Sequence, residues 1–320
     1  MNCADTPKMS LSKPPREIIS ASRRTDIPSN PAALRAFLGG LEAGCVPYRH
    51  PMFKTPVEYK VSPEQQRVIS WWSKNFAALL DVMSGTTRVA REVLPRYGHH
   101  FSFTINGERG SLLEPGLTAS LDDRYAQLQQ LAAACRHLGQ DPDASIMVHV
   151  DPIVVYRRAG TSEDLDNLDH LPRLFAEMRA CGLTRLHISF LQLGVGHART
   201  RLRSVADVLS APELSRPRQR EVFERRVLPH LGGIKVQTCT AAWLAGEFPG
   251  IVSAGACVGG RDIASITGCA AAAGRVKPKG DALASGRGCT CYPHRDLGDK
   301  HDGCTNGCRY CFSNPERYAF

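Results

Sequence analysis

Cys304, Cys308 and Cys311 stand in the stretch CTNGCRYC, a C-x3-C-x2-C spacing with Tyr310 immediately before the last thiol. Three thiolates this close can wrap a single loop around three irons of a 4Fe-4S cube and leave the fourth iron without a protein ligand. Gly307 inside the loop suits the tight backbone turn that such wrapping requires. A structural zinc knuckle is the competing reading, because zinc wants four closed ligands and His301, or Cys289 with Cys291, could complete the set.

A second group of cysteines lies upstream: Cys239, at the expected C-terminal end of a strand, then Cys257, Cys289 and Cys291. Four thiolates would complete a fully ligated second 4Fe-4S cluster, suited to electron transfer rather than to binding substrate. The alternative for Cys239 and Cys257 is that each is a small buried hydrophobe. Cys269 is read as structural. The chain has 12 cysteines in 320 residues, too few for a disulfide scaffold, and they crowd its last quarter. In a reducing compartment, crowding of that kind points to metal or redox chemistry.

Other side chains with chemical potential follow strands directly. Ser22, Arg23, Arg24, Thr25 and Asp26 come after the first one, where two guanidinium forks with a hydroxyl and a carboxylate could clamp a carboxylate or phosphate. An Arg-Asp pair that merely closes the fold is the structural alternative. Lys74 with Asn75, and Asp151, have the same placement, so the candidate catalytic residues are Arg23, Arg24, Asp26, Lys74 and Asp151. Asp151 could hold the hydroxyls of a ribose or an ammonium group, or accept from Arg23. The Gly194 to Gly196 GVG lacks the third glycine of a dinucleotide fingerprint. His99 and His100 fall at a strand start, the wrong end for a site, and read as a surface pair. Trp71 and Trp72 read as core on one side and barrel interior on the other.

The elements that must position these residues alternate as βα units. Strands are expected near Glu17 to Ser22, Tyr59 to Ser62, Val68 to Ser73, Phe101 to Ile105, Ser145 to Val150, Arg185 to Phe190 and Ile234 to Cys239, with one more at Ile251 to Ser253. Helices are expected at Pro31 to Leu41, Ala77 to Met83, Asp122 to Leu138, Leu165 to Cys181, Pro212 to Leu228 and Ala241 to Glu247. The pattern predicts an α/β fold, a (β/α) barrel, complete or partial and TIM-like, with functional residues at the C-terminal strand ends. Residues 1–16 read as a polar extension, 17–267 as the barrel, and 268–320 as a tether and cysteine tail folded over the barrel mouth.

Composition sets the frame. With 42% hydrophobic and 22% charged residues the chain is expected to be globular, and no apolar run is long enough to span a membrane. The polar N-terminus lacks a signal region, so a cytoplasmic location is expected. The net charge of +9 permits an anionic substrate or nucleic acid, but the basic residues are spread along the chain and no basic-aromatic run supports nucleic acid further.

The tail motif resembles the signature of the radical S-adenosylmethionine enzymes. That resemblance implies that the amino and carboxylate groups of S-adenosylmethionine chelate the open iron, with Tyr310 beside the cofactor. It also implies reductive cleavage of the sulfonium and a reductant such as ferredoxin or flavodoxin. Those enzymes carry the loop after their first strand, whereas here it lies within the last 20 residues. Nearly end to end, the chain also resembles the domain of unknown function 1848 proteins. The resemblance rests on SASRRTDIP (Ser20 to Pro28), WWSKN (Trp71 to Asn75), DPI (Asp151 to Ile153), ISF (Ile188 to Phe190), Cys239, Cys257, CTC, DLG (Asp296 to Gly298) and CTNGCRYCFSN (Cys304 to Asn314). It implies the iron-sulfur cofactor more than the substrate. The chain departs from that pattern at Phe76, at His149-Val150 and at His50. A nucleic-acid repair or modification enzyme and a non-catalytic electron-transfer or sensor protein are the alternative functions.

Overall fold

The computed structural model describes residues 13–21, 25–49, 55–107, 112–194, 196–276, 290–297 and 304–311. Its centre is a parallel sheet of eight strands: β1 (Ile18–Ala21), β2 (Val68–Ser73), β3 (Gly98–Thr104), β4 (Ile146–Ile153), β5 (Arg185–Phe190), β6 (Lys235–Thr238), β7 (Val252–Ala254) and β8 (His294–Leu297). They lie in the order β7-β6-β5-β4-β3-β2-β1-β8, so the chain winds in one direction through seven strands and then returns to place β8 beside β1, with Ile18 opposite His294. Among the described residues no backbone pairing joins β7 to β8. The α/β class holds, but the sheet is not closed by hydrogen bonds as a complete barrel would be.

The sequence explains most of the helix boundaries. Asn30 accepts from the backbone N–H of Ala32 and Ala33, Pro31 occupies the first turn, and Gly44 in the left-handed region ends the helix Pro31–Ala43. Ser120 and Asp123 form a capping box at the start of Leu121–His137. Gly182, at φ 79°, closes Leu171–Cys181 as the Cys181-Gly182 pair predicts. That helix starts at Leu171 rather than Leu165, because Leu165–Asp166 pairs with Val155–Arg158 as a short antiparallel strand. The strand expected at Tyr59 to Ser62 belongs to a separate hairpin, Pro56–Lys60 against Cys45–Arg49, and not to the main sheet. β8 comes from the segment read as tether and tail, where a four-residue strand among basic residues leaves too little periodicity to see.

Period-two alternation gives the sheet two unlike faces. Ile19, Ile69, Trp71, Phe101, Phe103, Val148, Val150, Leu186, Ile188 and Val236 belong to the main hydrophobic core. Each such side chain contributes about 1.5–3 kcal/mol by leaving water. The alternate positions carry Ser20, Ser70, Trp72, His100, Ser102, His149, His187 and Ser189, and all of these except Trp72 are buried. A buried face this polar must find partners for its donors and acceptors.

His99 and His100 are buried rather than a surface pair. His99 packs between the rings of Trp71 and Phe101 and accepts from Trp71 Nε1 at 3.0 Å, while His100 Nδ1 lies 3.3 Å from Ser70 Oγ on the opposite face. β3 starts at Gly98, three residues before the predicted start, and so takes both rings inside.

Candidate functional site

The tail loop 304–311 packs on the carboxyl ends of β1 to β4. Asn306 Nδ2 donates to the Asp26 carboxylate, and Lys74 N also donates to it at 3.4 Å. Tyr310 enters a buried network: its hydroxyl accepts from Lys74 Nζ at 3.0 Å and from Asn106 Nδ2 at 2.9 Å, and donates to Glu114. Lys74 and Glu114 form an ion pair at 2.8 Å, with side chains only 13% and 4% exposed. Asn106 ties this network to β4 by exchanging bonds with the Asp151 backbone at 3.2 and 3.3 Å.

The loop fits its seat closely. Arg309 N donates to Leu113 O at 2.8 Å, and Gly116 N to Asn306 O at 3.1 Å. A Cβ on Gly116 would stand 2.1 Å from Thr305 O, so only glycine allows that approach. Gly307 takes φ 62°, the turn its position predicts. Cys308 is buried, Cys304 and Cys311 are partly buried, and Arg201 donates to the Cys308 carbonyl at 3.0 Å.

Burial pushes the thiols of Cys304 and Cys308 up, with the Lys74 ammonium working against it at both. Burial likewise raises Asp26. Burial alone would lower Lys74 and raise Glu114, but Glu114 with Cys308 and Asp151 outweighs it at the lysine, and Lys74 with Tyr310 and Asn106 outweighs it at the glutamate, so the lysine is raised, the glutamate is lowered, and the pair stays ionised. Tyr310 is raised by burial and by the Glu114 carboxylate.

A second group lies on the polar face of the sheet and beyond its strand ends. Cys239 directly follows β6, Cys257 lies after β7, and Cys291 precedes β8. The thiols of Cys239 and Cys291 are both within hydrogen-bonding reach of Cys257, and Cys239 also bonds His187. His187 Nε2 is 3.6 Å from Cys257 Sγ. His149 stacks against His187 at 4.7 Å between ring centroids, and the ligating atoms of His149, His187 and Cys257 lie within 4.8 Å of one another. Cys257, and after it His187, hold the Cys239 thiol down to about 5, while Cys239, Cys291 and burial push Cys257 well up. Burial lowers His149, and His187 is raised because its thiol neighbours outweigh burial.

Asp151 lies between the two groups. Its carboxylate accepts from Ser189 Oγ and acts electrostatically on Lys74 and Tyr310 on one side and on His187 and Cys239 on the other. Of the sequence candidates, Asp26, Lys74, Asp151, Cys304, Cys308, Cys311 and Tyr310 meet at the strand ends, and Cys239, Cys257 and Cys291 meet beside them. Arg23, Arg24, Cys289 and His301 lie outside the described residues. Cys269 is buried and separate. A cleft of 1240 Å³ along the helices Ala77–Ser84 and Leu121–His137 holds no thiol.

Sequence reasoning missed His149, His187, Asn106, Glu114 and Asn306. The two histidines had a signal: in VHVD and LHIS a polar residue occupies every second position of an apolar strand, which marks a polar face. Among the described residues no helix is long and apolar enough to cross a membrane. No curated protein matches the chain. The family described as a domain of unknown function (DUF1848) matches residues 18–313, nearly the whole chain, and the chain therefore belongs to that family.

Proposed function

We propose that the protein is an iron-sulfur enzyme of the radical S-adenosylmethionine-like type, with Cys304, Cys308 and Cys311 as the ligands of a 4Fe-4S cluster at the carboxyl ends of the strands. The observation that carries this reading is the seating of a three-thiol loop on Asp26, Lys74, Asn106 and Glu114, where α/β enzymes of this winding build their sites. The donor set suits the group: three soft sulfurs in one turn, with the Lys74 ammonium nearby to balance the negative charge that cluster thiolates would carry into a buried site. A cluster held by Cys304, Cys308 and Cys311 would supply one-electron reduction of the sulfonium of S-adenosylmethionine, with ferredoxin or flavodoxin as the electron source, and with it homolysis of a carbon-sulfur bond to methionine and a 5'-deoxyadenosyl group.

The chain's own residues orient and enclose. Tyr310, fixed by Lys74, Asn106 and Glu114, sets the direction in which the last cysteine leaves the loop. Asp151 offers a partly exposed carboxylate beside the loop, suited to the ribose hydroxyls of the nucleoside. Packing of the loop on residues 113–116 excludes water from Cys308. An anionic substrate fits the basic balance of the chain.

Anaerobic reconstitution with iron and sulfide tests the reading: a brown protein is expected, with about four irons bound through the tail. Its reduced paramagnetic resonance spectrum should change on adding S-adenosylmethionine, and Cys308→Ala should abolish 5'-deoxyadenosine formation. A colourless protein whose tail holds only zinc would sink the proposal. A brown protein that forms no 5'-deoxyadenosine and shows an unperturbed spectrum favours electron transfer or sensing instead.

A further inference from the structure

We propose that His149, His187 and Cys257 bind one divalent ion of the zinc class on the polar face of the sheet, and that this ion keeps a coordination position open for water or a small oxygen ligand. The proposal does not depend on the tail cluster. It takes Cys257 out of the expected four-cysteine cube and calls on neither Cys239 nor Cys291.

Distance carries the first part. Among the described residues, His149, His187 and Cys257 form the one group of histidine, cysteine or carboxylate side chains whose ligating atoms converge, all within 4.8 Å of one another. Cys257 Sγ stands 3.6 Å from His187 Nε2. Metal bonds of about 2.3 Å to sulfur and about 2.0–2.1 Å to nitrogen, at a tetrahedral angle, leave two such donors about 3.6 Å apart. That pair is already spaced as two ligands of one ion. The His149 donor is wider than tetrahedral spacing by at most about 1.5 Å, within the reach of a side-chain rotation.

Strand register brings the two imidazoles together. His149 and His187 are direct partners across β4 and β5, on the face opposite the main core, and their rings stack at 4.7 Å between centroids. They are 1% and 0% exposed. His149 Nε2 and His187 Nδ1 nevertheless have no hydrogen-bond partner among the described residues. Both ring nitrogens of the equally buried His99, by contrast, are occupied, by Trp71 Nε1 and the Leu94 carbonyl. Buried ring nitrogens are ordinarily hydrogen-bonded or ligated, and a bound ion accounts for a histidine pair that is neither.

Donor chemistry carries the second part. Two imidazoles with one thiolate form a borderline-soft set, which suits zinc over magnesium or calcium. Three protein ligands are one short of the closed tetrahedron of a structural site, the arrangement of zinc sites that keep the fourth place for water or substrate. Asp151 and Ser189 come two residues after His149 and His187 on the same strands, and the Ser189 hydroxyl holds the Asp151 carboxylate. An ion in the histidine row therefore lies one row deeper in the sheet than that carboxylate. Cys257 reaches it from the segment that follows β7.

The test is a metal and sulfide inventory of the full chain purified without oxygen, with Co²⁺ as the probe of the native chain stripped of metal. About one zinc per chain is expected, kept in Cys308→Ala, Cys239→Ser and Cys291→Ser and falling to background in His149→Gln, His187→Gln and Cys257→Ser. Co²⁺ should give tetrahedral visible bands and the charge-transfer band of a single thiolate, a readout that stands even if a variant fails to fold. Zinc that survives His149→Gln, a native chain without such cobalt bands, or copper as the retained metal would overturn the proposal. A cobalt spectrum of several thiolates, with zinc lost in Cys239→Ser and Cys291→Ser, would overturn it too. Iron and sulfide in equal amounts that persist in Cys308→Ala, and that need Cys257 but not His149, would replace it with a second cube.

Discussion

The two cysteine groups are neighbours built by opposite means. The tail group comes from eight consecutive residues, so its three sulfurs are brought together by one turn at Gly307, and the fold only has to seat the loop. The second group draws Cys239, Cys257, Cys291 and His187 from four segments of the sheet, and no local turn can assemble it. A contiguous site can lose its seat and keep its ligands close. A dispersed group exists only while the fold does. The first is therefore expected to fail in chemistry and the second in stability.

Paired substitutions should separate the two most sharply. Cys304→Ala is expected to remove all tail iron and all 5'-deoxyadenosine formation with little change in the melting midpoint. Cys257→Ser, which puts a hydroxyl beside buried His187 where the strand-end segments meet, should lower the midpoint while leaving tail iron in place. Calorimetry beside iron analysis reads both, and equal effects of the two variants would erase the contrast.

Lys74→Met attacks the seat rather than the ligands. It leaves Glu114 charged, buried and unpaired, which costs about 3–5 kcal/mol, whereas Lys74→Met with Glu114→Gln should recover much of that loss. A double-mutant cycle on urea midpoints measures the coupling, and additive effects would show that the pair does not hold the loop. Gly116→Ala is a finer probe, because the added methyl meets the Thr305 carbonyl. It should loosen the loop and reduce tail iron with little change in the melting midpoint.

Acid should act on the fold outside both groups. Burial holds His99 and His170 down to about 4, and each ring already bonds a backbone carbonyl through Nε2, at Leu94 and Ile105. Both are neutral when folded and take up a proton near 6.5 when unfolded. Stability should therefore be full above about pH 6.5 and fall toward pH 4, by about 1.4 kcal/mol per unit for each histidine. Midpoints that do not move between pH 7 and pH 5 would contradict it.

The βα winding was legible because long apolar strands such as β2 and β5 alternate cleanly and begin and end where the pattern does. The short ones were not. β8 has four residues and becomes a strand only because β1 offers an unpaired edge, so nothing local marks it. The failure of the sheet to close is equally silent in the sequence, since it depends on where β7 and β8 end up relative to each other.

For the sites, residue type and local spacing determined the tail ligands, the glycine turn, and the strand ends at which Asp26, Lys74 and Asp151 would sit. Those are short-range properties, set by backbone reach and by alternation. Tertiary structure alone decided that Glu114 and Asn106 would bury Lys74 against Tyr310, and that His187 would face Cys257. Such contacts join residues dozens of positions apart, and their geometry follows from strand register and from the order of strands in the sheet rather than from any local preference.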